Sequence, residues 1–135
     1  MSIQTIYPGV AKIVADVLAL DQDKIALNKR LIADLGAESI DFLDLIFQLE
    51  REFKVKIPRG QIEKEARGTL SDSEFEQGSV LTEKGIKTLQ AYLSEVPREY
   101  FKAGLKVGEI PSLFTVETLC KLVMRAKEKQ PAVVS

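Results

Sequence analysis

From residue 40 to residue 53 the chain holds neither glycine nor proline. Leu, Glu, Gln and Arg favour helix there, although Ile and Phe are weaker formers. Phe42, Leu45, Ile46, Leu49 and Phe53 recur at the i, i+3, i+4, i+7 spacing of a core-facing stripe. Ile40, Leu43 and Phe47 draw a second apolar line, offset from the first. A helix apolar over so much of its circumference needs cover on more than one side. That cover has to come from the rest of the chain or from another protein.

The edges of this run are marked as clearly as its face. Gly36 and Ala37 are small and permit a tight turn. Ser39 follows, and the sequence predicts it as the N-cap, its hydroxyl accepting from an orphan N–H of the first turn. Asp41 falls in that turn, where a negative charge suits the helix dipole. At the far end, Val55-Lys56-Ile57-Pro58 alternates. Pro58 cannot donate a backbone hydrogen bond and biases Ile57 toward extended geometry, so the helix has to stop before it.

Elsewhere the chain reads as further helices and their connections. Ile6, Val10, Ile13, Val14, Val17 and Leu18 keep helical spacing, predicting a first helix that ends near Leu20. Pro8 is expected in its first turn, with Thr5 or Tyr7 just outside. Residues 21–38 form a long connection, pinned by Leu27, Leu31, Ile32 and Leu35, because a free loop of that length is unusual in a compact domain. Residues 61–67 read as a short polar helix ended by Gly68. Residues 69–79 are rich in Ser, Asp, Glu and Gly and read as a mobile loop. Thr82 is expected to cap a helix bearing Ile86, Leu89, Tyr92, Leu93 and Val96, closed by Pro97. Gly85 costs that helix about 1 kcal/mol relative to Ala. Thr115 is expected to cap a last helix running to about Lys127, with Val116, Leu119, Cys120, Val123 and Met124 on its apolar face. The tail 130–135 is expected to fray.

Composition excludes several classes. A chain of 135 residues suits one domain with a real core. A formal net charge of -1 creates no global field to attract nucleic acid. Histidine is absent, which removes histidine triads and histidine metal sites, and neither a Cys cluster nor a P-loop pattern occurs. The single cysteine, Cys120, allows no intramolecular disulfide. Inside a predicted amphipathic helix it reads as a small buried hydrophobe rather than a reactive thiol. Asp41 and Asp44 on one helix face read as a solvated recognition surface rather than a catalytic or metal-binding pair. No secretory signal or transmembrane run is visible, and a cytoplasmic monomer is expected.

The stretch Asp34-Leu-Gly-Ala-Glu-Ser-Ile-Asp41, the acidic helix after it and the Phe53-Lys-Val-Lys-Ile-Pro58 exit resemble the acyl carrier proteins. The resemblance covers residues 3–58 and resumes over about 110–125. It implies an all-α fold: a four-helix bundle of the carrier type, one domain over 1–135, with a helical insertion at about 59–109. It also implies that Ser39 carries a 4′-phosphopantetheine arm in phosphodiester linkage, whose thiol holds acyl groups as thioesters. Fatty-acid or related lipid or polyketide biosynthesis is the expected setting. Glu38, Ile40, Asp41, Leu43, Asp44, Phe47 and Glu50 become the docking surface for a phosphopantetheinyl transferase and for acyl-processing synthases, dehydratases, reductases and acyltransferases. No residue here has a catalytic role, so the chain is not an enzyme. Glu38 stands where the family usually has Asp, and Ile40 where it has Leu, so the transferase that acts here stays open. Two other readings also stay open: an unmodified helical interaction module using the Ile40, Leu43 and Phe47 line, and a carrier of aminoacyl or peptidyl groups. Taken without its context, Ser39 would be a helix cap and nothing more.

Overall fold

The computed structural model describes residues 2–57 and 59–129. Pro58, expected to stop the second helix, and the tail 130–135 lie outside the described residues.

Helix α1 (Ile3–Leu18) starts where the Ser2 hydroxyl accepts from the Thr5 N–H at 3.3 Å, and Ala19 ends it in the left-handed region at φ 56°. The helix therefore begins a turn earlier than Pro8 suggested, with Pro8 inside it. The missing proline N–H deprives one carbonyl of a partner near the helix start. That early turn in exchange buries Ile6 to 1% exposure, and the Tyr7 hydroxyl donates to the Ile25 carbonyl at 2.9 Å. Helix α2 spans Ser39–Phe53, as its apolar spacing predicts. The last helix, α6 (Val116–Lys129), follows Thr115. There the Thr115 hydroxyl accepts from the Thr118 N–H at 3.2 Å, and the Thr118 hydroxyl accepts from the Thr115 N–H at 3.0 Å.

Helices α1, α2 and α6 pack on one another. Val10 and Val14 of α1, Leu45 and Leu49 of α2, and Leu119 and Val123 of α6 are fully buried between them. Gly9 lets α1 and α2 meet closely, because a Cβ there would come within 2.9 Å of the Phe53 ring. Cys120 sits in this core with no exposure, as its neighbours in the sequence imply. The connection 21–38 is held from two sides. Leu31 is fully buried, and its N–H donates to the Phe114 carbonyl at 3.0 Å, while Val116 and Glu117 donate to the carbonyls of Lys29 and Leu27.

Residues 59–113 form helices, a hairpin and 3-10 turns with their connections. Helix α3 (Arg59–Arg67) ends at Gly68, whose φ of 63° is open to glycine without strain. Helix α4 (Asp72–Phe75) then leads into a hairpin, β1 (Glu76–Gln77) paired antiparallel with β2 (Val80–Leu81). Where a loop was expected over 69–79, the chain thus forms a short helix and a hairpin. Leu70 and Phe75 alone bury too little to order it, but the backbone and caps supply the rest. Ser71 and Glu74 exchange hydrogen bonds across the α4 start. Gly78 and Ser79 both take positive φ, the geometry of a tight hairpin turn. Phe75 reaches 6% exposure.

Helix α5 (Glu83–Tyr92) is capped by Thr82, whose hydroxyl accepts from the Gly85 N–H at 2.9 Å. It packs on α3 and α4. It stops at Tyr92, short of the Val96 that its apolar spacing suggested. Leu93 and Val96 are buried nonetheless, because the turn that follows is folded back against α6. There Lys121 donates to the Glu95 carboxylate at 2.9 Å and the Thr118 hydroxyl donates to it at 2.5 Å. The Arg125 guanidinium stacks over the Tyr92 ring at 4.2 Å and donates to the Tyr92 carbonyl. Two 3-10 turns, Arg98–Tyr100 and Val107–Leu113, return the chain to α6.

Candidate functional site

The site is assembled at the start of α2. Gly36 turns the chain at φ 77°, and Ala37 is buried with its N–H donated to the Leu31 carbonyl at 2.8 Å. Glu38, not Ser39, occupies the N-cap, and Ser39 is the first helical residue. Local competition explains the shift. The Asp41 carboxylate accepts from the Glu38 N–H at 2.8 Å, and the Asp41 N–H donates to the Glu38 carbonyl at 2.9 Å. That ring closes the helix start one residue earlier.

These surroundings suit a phosphodiester on Ser39. A helix start presents N–H groups and partial positive charge, which favour an anion. Glu38 and Ile40 on either side are exposed, Ile40 to 70%. Nearby, the Arg30 backbone N–H donates to the Asp34 carboxylate at 2.8 Å and holds its pKa below the usual value, and the Arg30 side chain adds to the effect. Arg30 also lies over the Tyr100 ring at 4.2 Å. This ties the loop ahead of Ser39 to the segment before α6.

Down α2 the two apolar lines part. Leu45 and Leu49 are fully buried, whereas Ile40, Leu43 and Phe47 are 70%, 36% and 62% exposed. They are the large apolar side chains left open among the described residues. The wide apolar face is therefore covered on one side only. The acids on this helix differ in what they do. Asp41 is engaged in the cap, and Asp44 is exposed, with a long contact of 3.4 Å from the Gln48 amide. Glu50 is half-buried, and its carboxylate accepts from the Ile57 N–H at 2.6 Å. Periodicity gives no sign of that bond, since it joins the helix to the exit segment across a turn.

Beside the exposed line runs a groove of about 660 Å³. Phe42, Leu43, Ile46 and Phe47 of α2 form one wall, and Ile57 and Ile62 lie along its side. The rest of the lining includes Phe75, Tyr92 and Val107 of the segment read as an insertion, and Ile110 just beyond it. Phe114 packs edge-on against Phe42 with centroids 5.8 Å apart, closing one end. Arg67, which forms an ion pair with Asp72, and Glu76 border it. The volume is that of a small-molecule site, and the lining is mostly apolar. Tyr92, at the end of α5, meets Arg125 of α6 and lines the same groove as Ile46.

No helix among the described residues is long and apolar enough to cross a membrane. Burial pushes the Cys120 thiol up to about 12, which removes it from nucleophilic roles near neutral pH.

Comparison with known proteins gives a consistent picture. Residues 8–72 match the family model described as a phosphopantetheine attachment site. Over 59 residues the chain is 39% identical to an acyl carrier protein of Campylobacter lari, covering 44% of this chain and 77% of that one. Over 76 residues it is 36% identical to the acyl carrier protein AcpXL of Rhizobium meliloti, covering 56% and 80%. With the AcpXL of Mesorhizobium japonicum the identity is 44% over 54 residues, covering 40% of this chain and 58% of that protein.

Proposed function

Because the chain belongs to the acyl carrier protein family, whose prosthetic group is 4′-phosphopantetheine, we propose that Ser39 is the attachment point and that the protein carries acyl groups between enzymes rather than transforming them. The observation that carries this reading is the placement of Ser39. It opens a helix whose cap is closed by Glu38 and Asp41, next to an exposed apolar line on the same helix. When bound, the group supplies a thiol that holds the acyl chain as a thioester. The protein supplies position, a docking surface and shelter.

Docking falls to Ile40, Leu43 and Phe47, with Asp44 and Glu38 as the charged rim. Exposed acids of this kind steer a basic partner and set the salt dependence of its arrival. The partners are a phosphopantetheinyl transferase, which adds the arm, and the synthases, dehydratases, reductases and acyltransferases that work on the cargo. Shelter falls to the groove. An acyl chain turned in from the start of α2 would lie along Phe42 and Ile46 against the wall that the 59–109 segment supplies. Each methylene taken from water there is worth about 0.8 kcal/mol. Fatty-acid or related lipid or polyketide synthesis, in the cytoplasm and with the carrier as a monomer of one domain, is the setting this reading assigns.

The test is intact mass. Co-expression with a broad-specificity transferase should add one phosphopantetheine, and Ser39→Ala should abolish the addition. An unchanged wild-type mass would instead favour an unmodified interaction module that uses the same exposed line. Addition to the Ala variant would place the arm elsewhere.

A further inference from the structure

The acids of an acidic recognition helix are naturally read together as docking charges, but Glu50 is set apart by its contacts. It is half-buried, it borders the groove, and its carboxylate takes the Ile57 N–H at 2.6 Å across a separation of seven residues. A hydrogen bond with one charged partner is shorter and about twice as strong as a neutral one. The chain needs it here. After Phe53, Lys54 turns the backbone at φ 55°. The Val55 N–H is still satisfied by the Glu50 carbonyl at 3.1 Å, and beyond it the exit segment leaves the helix. Glu50 thus closes the turn twice, through its carbonyl to Val55 and through its carboxylate to Ile57. Val55 and Ile57 are buried at 3% and 5% exposure, and Ile57 is part of the groove's lining.

We propose that Glu50 is a positioning residue. It fixes the exit segment whose Ile57 lines the groove, and it does not act as a docking charge. The groove as an acyl seat is the reading given above, and the proposal rests on it only for what the fixed segment accomplishes. Held in place, Ile57 keeps its apolar side chain in the groove's lining. Released, it would let water reach the thioester-bearing chain. Unlike a docking charge, this role needs an acceptor at that point, so glutamine should serve in part where alanine cannot.

The experiment compares wild type, Glu50→Gln and Glu50→Ala, each loaded with a palmitoyl or an acetyl group through a broad-specificity transferase. Three quantities are read: amide exchange at Ile57, the lifetime of each thioester toward hydroxylamine, and the loading rate as a function of salt. Expected in Glu50→Ala are Ile57 exchange faster by about tenfold or more, the scale of a lost charge-assisted bond, and a palmitoyl thioester lifetime shortened toward that of the acetyl form. Glu50→Gln, whose amide oxygen still accepts but without the charge, should lie between Glu50→Ala and wild type in both, and all three proteins should load at the same rate with the same salt dependence. Glu50→Gln and Glu50→Ala loading equally slowly, with Ile57 exchange unchanged, would overturn the proposal and make Glu50 a docking charge. Wild-type exchange and thioester lifetime in Glu50→Ala would overturn it as well. If instead wild-type palmitoyl and acetyl thioesters are cleaved equally fast while Ile57 exchange still responds to alanine, the acyl seat fails. The hold of Glu50 on the exit segment then stands without it.

Discussion

At the residue scale, Asp41 and Asp44 look alike in the sequence and differ in the structure. Asp41 completes the helix cap through the Glu38 N–H, whereas Asp44 faces solvent. Reversing each to lysine should therefore separate stability from recognition. Asp41→Lys should lower unfolding free energy by about 1–2 kcal/mol, combining a lost cap with an adverse charge at the helix start. Asp44→Lys should leave stability within about 0.5 kcal/mol and slow arm attachment at low salt. Urea titration and loading rates measure the two effects, and equal stability losses would contradict the assignment. Cys120 offers a second test at this scale. Its thiol is unexposed and raised from 9.0 to about 12 by burial, so at pH 8 it should resist alkylation until the protein unfolds. The linkage sign follows from the raised value. The folded state keeps a proton that the unfolded chain sheds near pH 9, so this contribution to stability is intact below pH 9 and declines as pH rises toward about 12. Alkylation that tracks unfolding, with no fast native phase, is the expected record.

At the element scale, α5 shows how a local penalty can be a tertiary requirement. From propensity alone, Gly85→Ala should stabilise the helix by about 1 kcal/mol. In the fold, a Cβ at Gly85 would lie 2.1 Å from the Phe75 carbonyl oxygen. Backbone cannot swing aside as a side-chain end does, so the α4 and α5 backbones would have to separate. Overpacking of this kind costs about 1–3 kcal/mol and outweighs the propensity gain. Thermal melts should show a lower Tm for Gly85→Ala. A raised Tm would mean that α4 is not seated on α5. The contact also explains how α4 and the hairpin are held in a segment with so few apolar residues.

At the scale of the whole molecule, the 59–113 segment is fastened to the bundle mainly through α6. The Glu95 side chain is 1% exposed and is satisfied by Lys121 and the Thr118 hydroxyl. A buried carboxylate stripped of its cation is costly, so Lys121→Met should destabilise by about 3 kcal/mol. The second change Glu95→Gln, made in the Lys121→Met background, should recover much of that loss because no buried charge then remains. Chemical denaturation of the single and double variants tests this, and purely additive losses would refute the coupling. Because Tyr92 is on the same fastening and also lines the groove, the single variant should loosen the groove as well.

Some of this protein is written locally and can be read from the sequence. The span of α2, the caps at Thr82 and Thr115, the burial of Cys120 and the context of Ser39 all follow from residues within a turn or two of one another. Apolar spacing and capping chemistry act over that distance. What only the tertiary structure decided lies between residues far apart or in competition. The cap passed to Glu38 because Asp41 reached back to its N–H. Residues 69–79 became a short helix and a hairpin because the Phe75 backbone fits against Gly85. Glu50 left the set of free acids because Ile57 came round to meet it. The groove exists only where α2 and a segment distant from it in the chain face each other. In each case the deciding energy is a contact that exists only once the chain has closed on itself, and periodicity carries no record of it.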